Sequence, residues 1–438
     1  MKLPEPVQVC IDALEKAGYP AYAVGGCVRD SYLGFVPHDY DLCTLATPEQ
    51  IKEVFSGYPL VLAGQKHGTI GVVIDREVYE ITTFRTEGDY QDCRHPDWVE
   101  FVSDVKEDLL RRDFTVNAMA WSPLRGYADP WGGRQDLDNR ILRAVGDPEK
   151  RFSEDALRIL RGVRFAVTYD LTPEEKTRDA MIRLAPTMKK LARERVFAEL
   201  CKLLPRITAQ QLKDYAPILL AVIPELEETV GFDQKNRHHM HDVFTHTAQV
   251  VQNVPEDLAL RWAALLHDVG KPSCFTLDET GEGHFHGHAK VSAAMAEEAL
   301  RRLRAPTVLR EQVVQLIGQH MTLLTPDKKL LRRRLGKLGI ETVEKLLTLQ
   351  KADHGATRPD RSDGPDFAQI EDMLRQIRQE QACLTVKDLA VDGKDLMELG
   401  YAPGPALGKE LERLLQLVQD EQLLNQREAL LEQALRDK

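Results

Sequence analysis

The sequence predicts an α+β protein whose strands are confined to the first third of the chain and whose remainder is helical. Three observations carry this. The β-rich runs "AYAVGG" around Val24, "TIGVVI" from Thr69, "VYEITTF" from Val78 and "VEFV" from Val99 alternate with helical stretches and end by about residue 145. Helical patterns dominate from about residue 150 to the end. All histidines except His38, His67 and His95 lie between His238 and His354, so the centre of the chain is chemically distinct.

A length of 438 residues suggests about three domains. The composition, 43% hydrophobic and 29% charged with a net charge of -11, belongs to a soluble globular chain rather than a disordered or membrane-embedded one. An acidic total argues against non-specific coating of nucleic acid but leaves room for a local basic groove. The start "MKLPEPVQVC" lacks the apolar run of a signal peptide, and no later stretch is long enough to span a bilayer, which predicts a cytoplasmic protein. Seven cysteines without a Cys-x-x-Cys pair suit a reducing compartment.

Taken in order, the first element group covers residues 1–145, with a hairpin expected where "DRE", Asp75 to Glu77, separates two strand-like runs. Residues 146–215 form a helical second part. In it "SEDALRILRGVRFA" predicts a helix opened by Ser153 as N-cap, with Glu154 and Asp155 in its first turn. The histidine-rich third part covers 216–375. A Leu-rich, charged helical tail occupies 376–438 and runs through the Pro/Gly stretch "GYAPGPALG".

The first part contains "GGCVRDSYLGFVPHDYDL", Gly25 to Leu42. If "YDL" is extended, Asp39 and Asp41 point to one face, with Cα atoms roughly 6.5–7 Å apart. Their carboxylates could then share a metal cluster, and two-metal phosphoryl-transfer sites need such hard oxygen ligands. Glu80 in "YEITTF" sits where the hairpin could deliver a third carboxylate. Gly25 and Gly26 would let backbone amides approach a triphosphate, with Arg29 available for its charge. An isolated Asp-x-Asp is ordinarily a solvated loop, so the context has to decide.

That context is "GGCVRD", "DYDL", "YEITTFR", "LLRRDFTVNAMA" (Leu109 to Ala120) and "GRQDLDNRILRAVGDPEKRFSEDALRILRGVRFA" (Gly133 to Ala166), in this order. The series resembles the class II nucleotidyltransferase family of bacterial tRNA CCA-adding enzymes and poly(A) polymerases. The resemblance implies a polymerase-β-like head, a helical neck over 146–215, and transfer of a nucleoside monophosphate to an RNA 3′-hydroxyl with pyrophosphate leaving. It implies that Asp39 and Asp41 bind two Mg²⁺ ions, that Glu80 completes the catalytic carboxylates, and that Gly25, Gly26 and Arg29 cradle the triphosphate. Arg112, Asp113 and Asn117 match the positions that hold the nucleotide's sugar.

In "EDALR", Asp155 and Arg158 are three apart and would be neighbours on one helix face. A carboxylate can accept from the exocyclic amino group shared by C and A, while arginine donates to the base acceptors. By the resemblance this pair reads the base, assisted by Arg161. The stretch Arg85 to Val102 is similar to the flexible loop of complete CCA-adding enzymes, although Cys93 and His95 depart from its usual Asp-Gly-Arg-Arg-Pro pattern. The mixed-charge end "REALLEQALRDK" differs from the basic tail of poly(A) polymerases and favours a tRNA-specific enzyme.

His246, His267, Asp268, His288, His320 and Asp353 follow an order that resembles an HD domain, a helical phosphohydrolase fold. Imidazoles and carboxylates together suit a transition metal such as Mn²⁺, Ni²⁺ or Co²⁺. Such a metal would activate water for an additional phosphohydrolase activity. Two basic clusters are expected phosphate contacts for RNA: Lys189, Lys190, Arg193 and Arg195, and Lys328, Lys329, Arg332, Arg333 and Arg334. The expectation is therefore an enzyme that adds and repairs the CCA end of tRNA from CTP and ATP, with no membrane partner, as a monomer or homodimer. A poly(A) polymerase or A-adding enzyme, and an RNA-binding HD phosphohydrolase, are the alternatives.

Overall fold

The structure is a computed structural model and describes residues 1–88, 99–236, 240–357, 365–380 and 382–436. The chain divides into two compact units, residues 1–207 with 214–224, and residues 208–213 with 225–438. The first carries the sheet, and the second is almost wholly helical.

The first unit opens with the helix Glu5–Lys16, whose Val7, Cys10, Ile11 and Leu14 recur at helical spacing and are buried together. Its first nine strands are β1 (Ala21–Val24), β2 (Asp41–Thr44), β3 (Leu60–Val61), β4 (Thr69–Ile74), β5 (Glu77–Thr83), β6 (Arg85–Glu87), β7 (Val99–Phe101), β8 (Ala120–Ser122) and β9 (Gly126–Ala128), and a short parallel pair, Ile141–Leu142 with Thr172–Pro173, follows. Seven form one sheet in the order β3-β4-β5-β2-β1-β8-β9, while β6 and β7 pair separately. The expected hairpin joins β4 to β5. Its turn is Asp75-Arg76, both at positive φ (53° and 70°), the mirror-image turn that suits the strand twist, and Glu77 already belongs to β5.

Register places the functional edge. Val24 at the end of β1 lies opposite Asp41 at the start of β2, and Leu42 lies opposite Ile81 of the parallel strand β5. Gly25-Gly26 just past β1, Asp41 at the start of β2 and Glu80 in the middle of β5 are therefore brought to one level of three neighbouring strands. The core beneath them holds Val24, Cys43, Phe84, Leu109 and Ala120.

The helix start expected at Ser153 is corrected. Asp147 caps the helix Pro148–Glu154 through its side chain, and Pro148 occupies the first turn, so Ser153 falls inside this helix. Asp155 is extended (φ −142°), and a second helix runs over Leu157–Tyr169. Asp155 and Arg158 thus do not share one helix. The helix Arg193–Leu203 packs along Leu157–Tyr169.

In the second unit the helices Val243–Asn253, Leu258–Leu266, His288–Arg302, Thr307–Gln319 and Ile340–Gly355 form a bundle. Leu258–Leu266 is central, with every residue from Ala259 to Leu266 buried and Trp262 fully enclosed. Asp242 and Asp257 cap the first two helices by accepting from Thr245 N and Leu260 N. Two further apolar cores follow, around Leu331, Val343 and Ile370 and around Leu396, Leu414 and Leu430. Among the described residues no helix is long and apolar enough to cross a membrane.

Candidate functional site

A cavity of about 440 Å³ in the first unit is lined by Gly25, Gly26, Arg29, Asp39, Asp41, Arg112, Asp113, Asn117, Asp155, Arg158 and Arg161. Residues far apart in the chain therefore meet in one cleft, all of them singled out by sequence. Glu80 does not line it, yet its charge reaches Asp41. Asp39 lies just before β2, which Asp41 opens, and both residues line the cleft. Desolvation raises the Asp41 pKa above its ordinary value; Arg112 opposes this, and Asp39 and Glu80 reinforce it. A cation bound between these oxygens would relieve that crowding, so the donor set fits a hard divalent ion.

Gly25 is in a left-handed conformation (φ 78°), and a Cβ there would come within 2.8 Å of Arg112 Nη1. The position therefore needs glycine both for its turn and for the guanidinium beside it. Arg29 is buried, donates to Asn117 Oδ1 and Tyr169 Oη, and stacks 4.1 Å from the Tyr169 ring centre. Asn117 Nδ2 donates to Asp113 Oδ1 (3.0 Å), and Arg161 holds Asp113 Oδ2 at 2.7 Å. Burial opposes ionisation of Asp113, but Arg161 and Asn117 outweigh it and lower its pKa to about 2.

Asp155 and Arg158 reach the cleft with different partners. Asp155 accepts from Leu157 N (2.9 Å) and pairs with Arg195 at 2.6 Å. Arg158 pairs with Glu154 at 2.6 Å and donates to the carbonyls of Arg151 (3.1 Å) and Arg111 (3.0 Å). The i,i+3 ion pair that a continuous helix would give is absent among the described residues. Sequence reasoning missed Arg111, Arg164 and Phe165 as lining residues. Arg164 follows Arg161 at the same helical spacing by which Arg161 follows Arg158, a signal that was available. With Arg195, seven arginines and four aspartates line the cleft, a surplus of cations suited to a polyanion.

The second unit holds another cluster. His246 and Asp353 approach to 2.9 Å, His267 Nε2 lies 3.2 Å from Asp268 Oδ2, and His288 Nε2 lies 3.3 Å from Asp268 Oδ1 and 3.2 Å from His320 Nε2. All four Nδ1 atoms face backbone carbonyls, of Ala356, Ala264, Phe285 and Ile317. This fixes the protonated nitrogen outward and turns every Nε2 lone pair inward. Two ligand groups result, His246/His267/Asp268 and Asp268/His288/His320, each with its ligand atoms within 4.8 Å of one another. His267 Nε2 and Asp268 Oδ2 are both buried and face each other at 3.2 Å without good hydrogen-bond geometry, so a cation beside them would satisfy both. Burial lowers His320 to about 4 and keeps its ring neutral for ligation. A cavity of about 470 Å³ opens over Asp268, His288, His320 and Asp353, bounded by Phe285, Met321 and Phe367.

The basic clusters are only partly open. Lys189 and Lys190 are exposed, and Arg193 bonds the Lys189 carbonyl, but Arg195 belongs to the nucleotide-sized cleft through Asp155. Lys328 pairs with Glu380, and Arg333 with Asp420. Arg332 is buried between Glu380 (3.0 Å) and Glu421 (2.7 Å), which corrects its assignment as an RNA contact: it braces the tail. Lys329 is exposed and Arg334 partly so. Of the expected flexible loop, the ends pair as β6 and β7, with Arg85 opposite Phe101; Cys93 and His95 lie outside the described residues.

Residues 21–143 match the family described as the poly A polymerase head domain, 170–227 the RNA and SrmB-binding site of polymerase A, and 284–434 the tRNA nucleotidyltransferase domain 2. The CCA-adding enzyme of Streptococcus thermophilus is 34% identical over 438 residues, covering 98% of this chain and 96% of that enzyme. That of Streptococcus suis is 49% identical over 205 residues, 46% of this chain and 50% of that enzyme. Among solved structures, the Bacillus stearothermophilus CCA-adding enzyme in complex with CTP has a TM-score of 0.73 at 28% identity, covering 100% of this chain and 98% of that one. The Thermotoga maritima CCA-adding enzyme complexed with tRNA shares the fold, with a TM-score of 0.63 at 19% identity over 99% of this chain and 96% of that one. By its full-length relatives, its head and its fold, the chain belongs to the CCA-adding enzymes, a family of tRNA nucleotidyltransferases.

Proposed function

We propose that the chain adds and repairs the 3′-terminal CCA of tRNA from CTP and ATP without a nucleic-acid template, in the cytoplasm. The observation that carries this is the single cleft in which Asp39 and Asp41 face seven arginines, with Asp155 and Arg158 on its wall. Gly25, Gly26 and Arg29 receive the triphosphate, Arg112, Asp113 and Asn117 hold the sugar, and Asp155, Arg158 and Arg161 read the base. The tRNA 3′-hydroxyl attacks the α-phosphorus and the bond to pyrophosphate breaks. Asp39, Asp41 and Glu80 would hold Mg²⁺, which would supply charge neutralisation for the transfer. Arg29 binds the triphosphate's remaining charge, while Arg195 is engaged by Asp155.

The domain reading that goes with it is a head over 1–145, a neck over 146–215 that carries base recognition, an HD domain over 216–375 and a tRNA-binding tail over 376–438. Lys189, Lys190, Arg193, Lys329 and Arg334 contribute phosphate contacts. The test offers tRNA ending before, within and after CC to the protein with CTP and ATP supplied separately. Incorporation of C only before or within CC, and of A only after it, is expected. A poly(A) product or A-only addition would replace the proposal with its nearest alternative.

A second activity is favoured by the inward convergence of four Nε2 atoms on Asp268 and Asp353. We read this as a site whose histidines and aspartates would hold Mn²⁺, Ni²⁺ or Co²⁺, an ion that would supply an activated water for phosphoester hydrolysis. Hydrolysis of 2′,3′-cyclic phosphates or phosphomonoesters dependent on one of these ions is the expected result. Its absence across all three and Mg²⁺ would leave the cluster a structural feature.

A further inference from the structure

We infer that the helix Arg193–Leu203 is the positioning element for base selection, acting through Arg195 on Asp155 and through Glu199 on Arg161 and Arg164. The inference rests on the reading above that Asp155, Arg158 and Arg161 face the base.

The two halves of the base-facing edge are fixed by different means. Arg158 is held by three acceptors supplied near it, Glu154 Oε2 and the carbonyls of Arg151 and Arg111, which leaves its Nε and part of Nη2 for a ligand. Asp155 has no such frame. It stands between two helices, and one backbone amide, Leu157 N, is all that its own segment gives it. Its other oxygen is secured from the neighbouring helix, where Arg195 Nη2 lies 2.6 Å from Oδ2 and Nη1 lies 3.5 Å from Oδ1. Without Arg195 the carboxylate can turn about its side-chain bonds, and base reading tolerates an error of only about 0.5 Å.

One turn further along, Glu199 does the opposite job. It is 6% exposed, its Oε2 lies 2.5 Å from Arg164 Nε, and its Oε1 lies 4.0 Å from Arg161 Nη1. Glu199 offsets part of the charge of two arginines that also crowd the Phe165 ring, at 5.2 Å for Arg161 and 4.2 Å for Arg164. Arg195 and Glu199 are four residues apart and so share a helix face, and both reach across to the segment that begins at Asp155. The helix therefore acts as a ruler: a cation at one mark sets the acceptor, and an anion at the next sets the donors.

The Asp155 carboxylate accepts from the amino group that C and A have and that U and G lack at that place. Loss of Arg195 should consequently relax the choice of C over U and of A over G while leaving triphosphate affinity close to that of the parent. Glu199→Gln should also weaken base discrimination, because it loosens Arg161, which faces the base, while leaving the Asp155 acceptor in place.

The experiment measures single-turnover kcat/KM for CTP and UTP on tRNA lacking CCA, and for ATP and GTP on tRNA ending in CC. It compares the parent with Arg195→Ala, Arg195→Lys, Asp155→Ala and the Arg195→Ala/Asp155→Ala double variant, each first checked for an unaltered melting transition. The expected result is that Arg195→Ala lowers both ratios by about tenfold or more, that Arg195→Lys recovers part of the loss, and that Arg195→Ala adds nothing in the Asp155→Ala background. If Asp155→Ala relaxes the ratios but Arg195→Ala slows all four nucleotides equally, the inference is overturned and the base-reading assignment stands. If Asp155→Ala leaves the ratios unchanged, the assignment fails and the inference falls with it. An Arg195→Ala variant that no longer melts as the parent is replaced in the comparison by Arg195→Lys, for which an unchanged ratio with lowered kcat overturns the inference.

Discussion

Arg161 Nη2 lies 2.7 Å from Asp113 Oδ2, and Arg161 Nε lies 2.8 Å from the same oxygen, so one guanidinium ties the helix Leu157–Tyr169 to the segment that follows Leu110. Asp113 is depressed to about 2 in the folded protein, against an ordinary value of 3.8. A carboxylate lowered by folding contributes stability that is complete above its unfolded pKa and is lost as pH falls toward its folded pKa. Denaturant titrations of the protein should therefore show a loss on the order of 2 kcal/mol from this group between pH 4 and about 2. Asp113→Asn should be less stable at pH 7 and lack that part of the slope. An identical pH dependence in the two proteins would remove Asp113 from the acid-sensitive groups.

Asp39→Ala and Asp41→Ala should each abolish addition of both C and A, since the loss of a metal-binding carboxylate costs several kcal/mol of transition-state stabilisation, roughly a thousandfold in kcat. Binding of tRNA should persist, because affinity for RNA comes chiefly from phosphate contacts elsewhere. Gel-shift affinity beside single-turnover rates checks both halves. Brisk turnover by either variant in Mg²⁺ would sink the two-metal assignment.

Replacing His267 and Asp268 together by alanine should eliminate metal-dependent phosphoesterase activity and titratable Mn²⁺, Ni²⁺ or Co²⁺ binding. Addition of CCA should survive, as its carboxylates belong to the other compact unit. A folded double variant that had lost nucleotide addition would contradict the independence of the two centres.

Arg332→Ala should destabilise the tail by about 1–2 kcal/mol, chiefly because it removes a buried side chain that also bonds the Gln419 carbonyl, its partners Glu380 and Glu421 being half-exposed and solvent-screened. Lys189→Ala with Lys190→Ala should leave stability unchanged and weaken tRNA binding, with the salt slope shallower by about one for each phosphate no longer neutralised. Calorimetry and affinity measured across salt concentrations separate the two effects. Weakened tRNA binding by a fully stable Arg332→Ala variant would return Arg332 to the RNA surface.

The local chemistry of this protein was legible in its sequence. The β-rich runs, the turn at Asp75-Arg76, the paired glycines, the aspartates at 39 and 41 and the ordered histidines all follow from short-range patterns, because backbone preference and residue chemistry act over a few positions. The family resemblance covered the same residues. What the sequence left open were the partners of each charge. A continuous helix from Ser153 would have paired Asp155 with Arg158, and Asp147-Pro148 instead started an earlier helix and left Asp155 between two. Arg195 and Arg332 looked alike as members of basic runs. Packing sent Arg195 to Asp155 in the cleft and Arg332 to Glu380 and Glu421 in the tail. Register brought Gly25, Asp41 and Glu80 to one level of three interior strands, and helix ends turned four imidazoles inward on Asp268. Charge pairing is decided by distances of a few ångströms between segments far apart in the chain, and only the tertiary fold sets those distances.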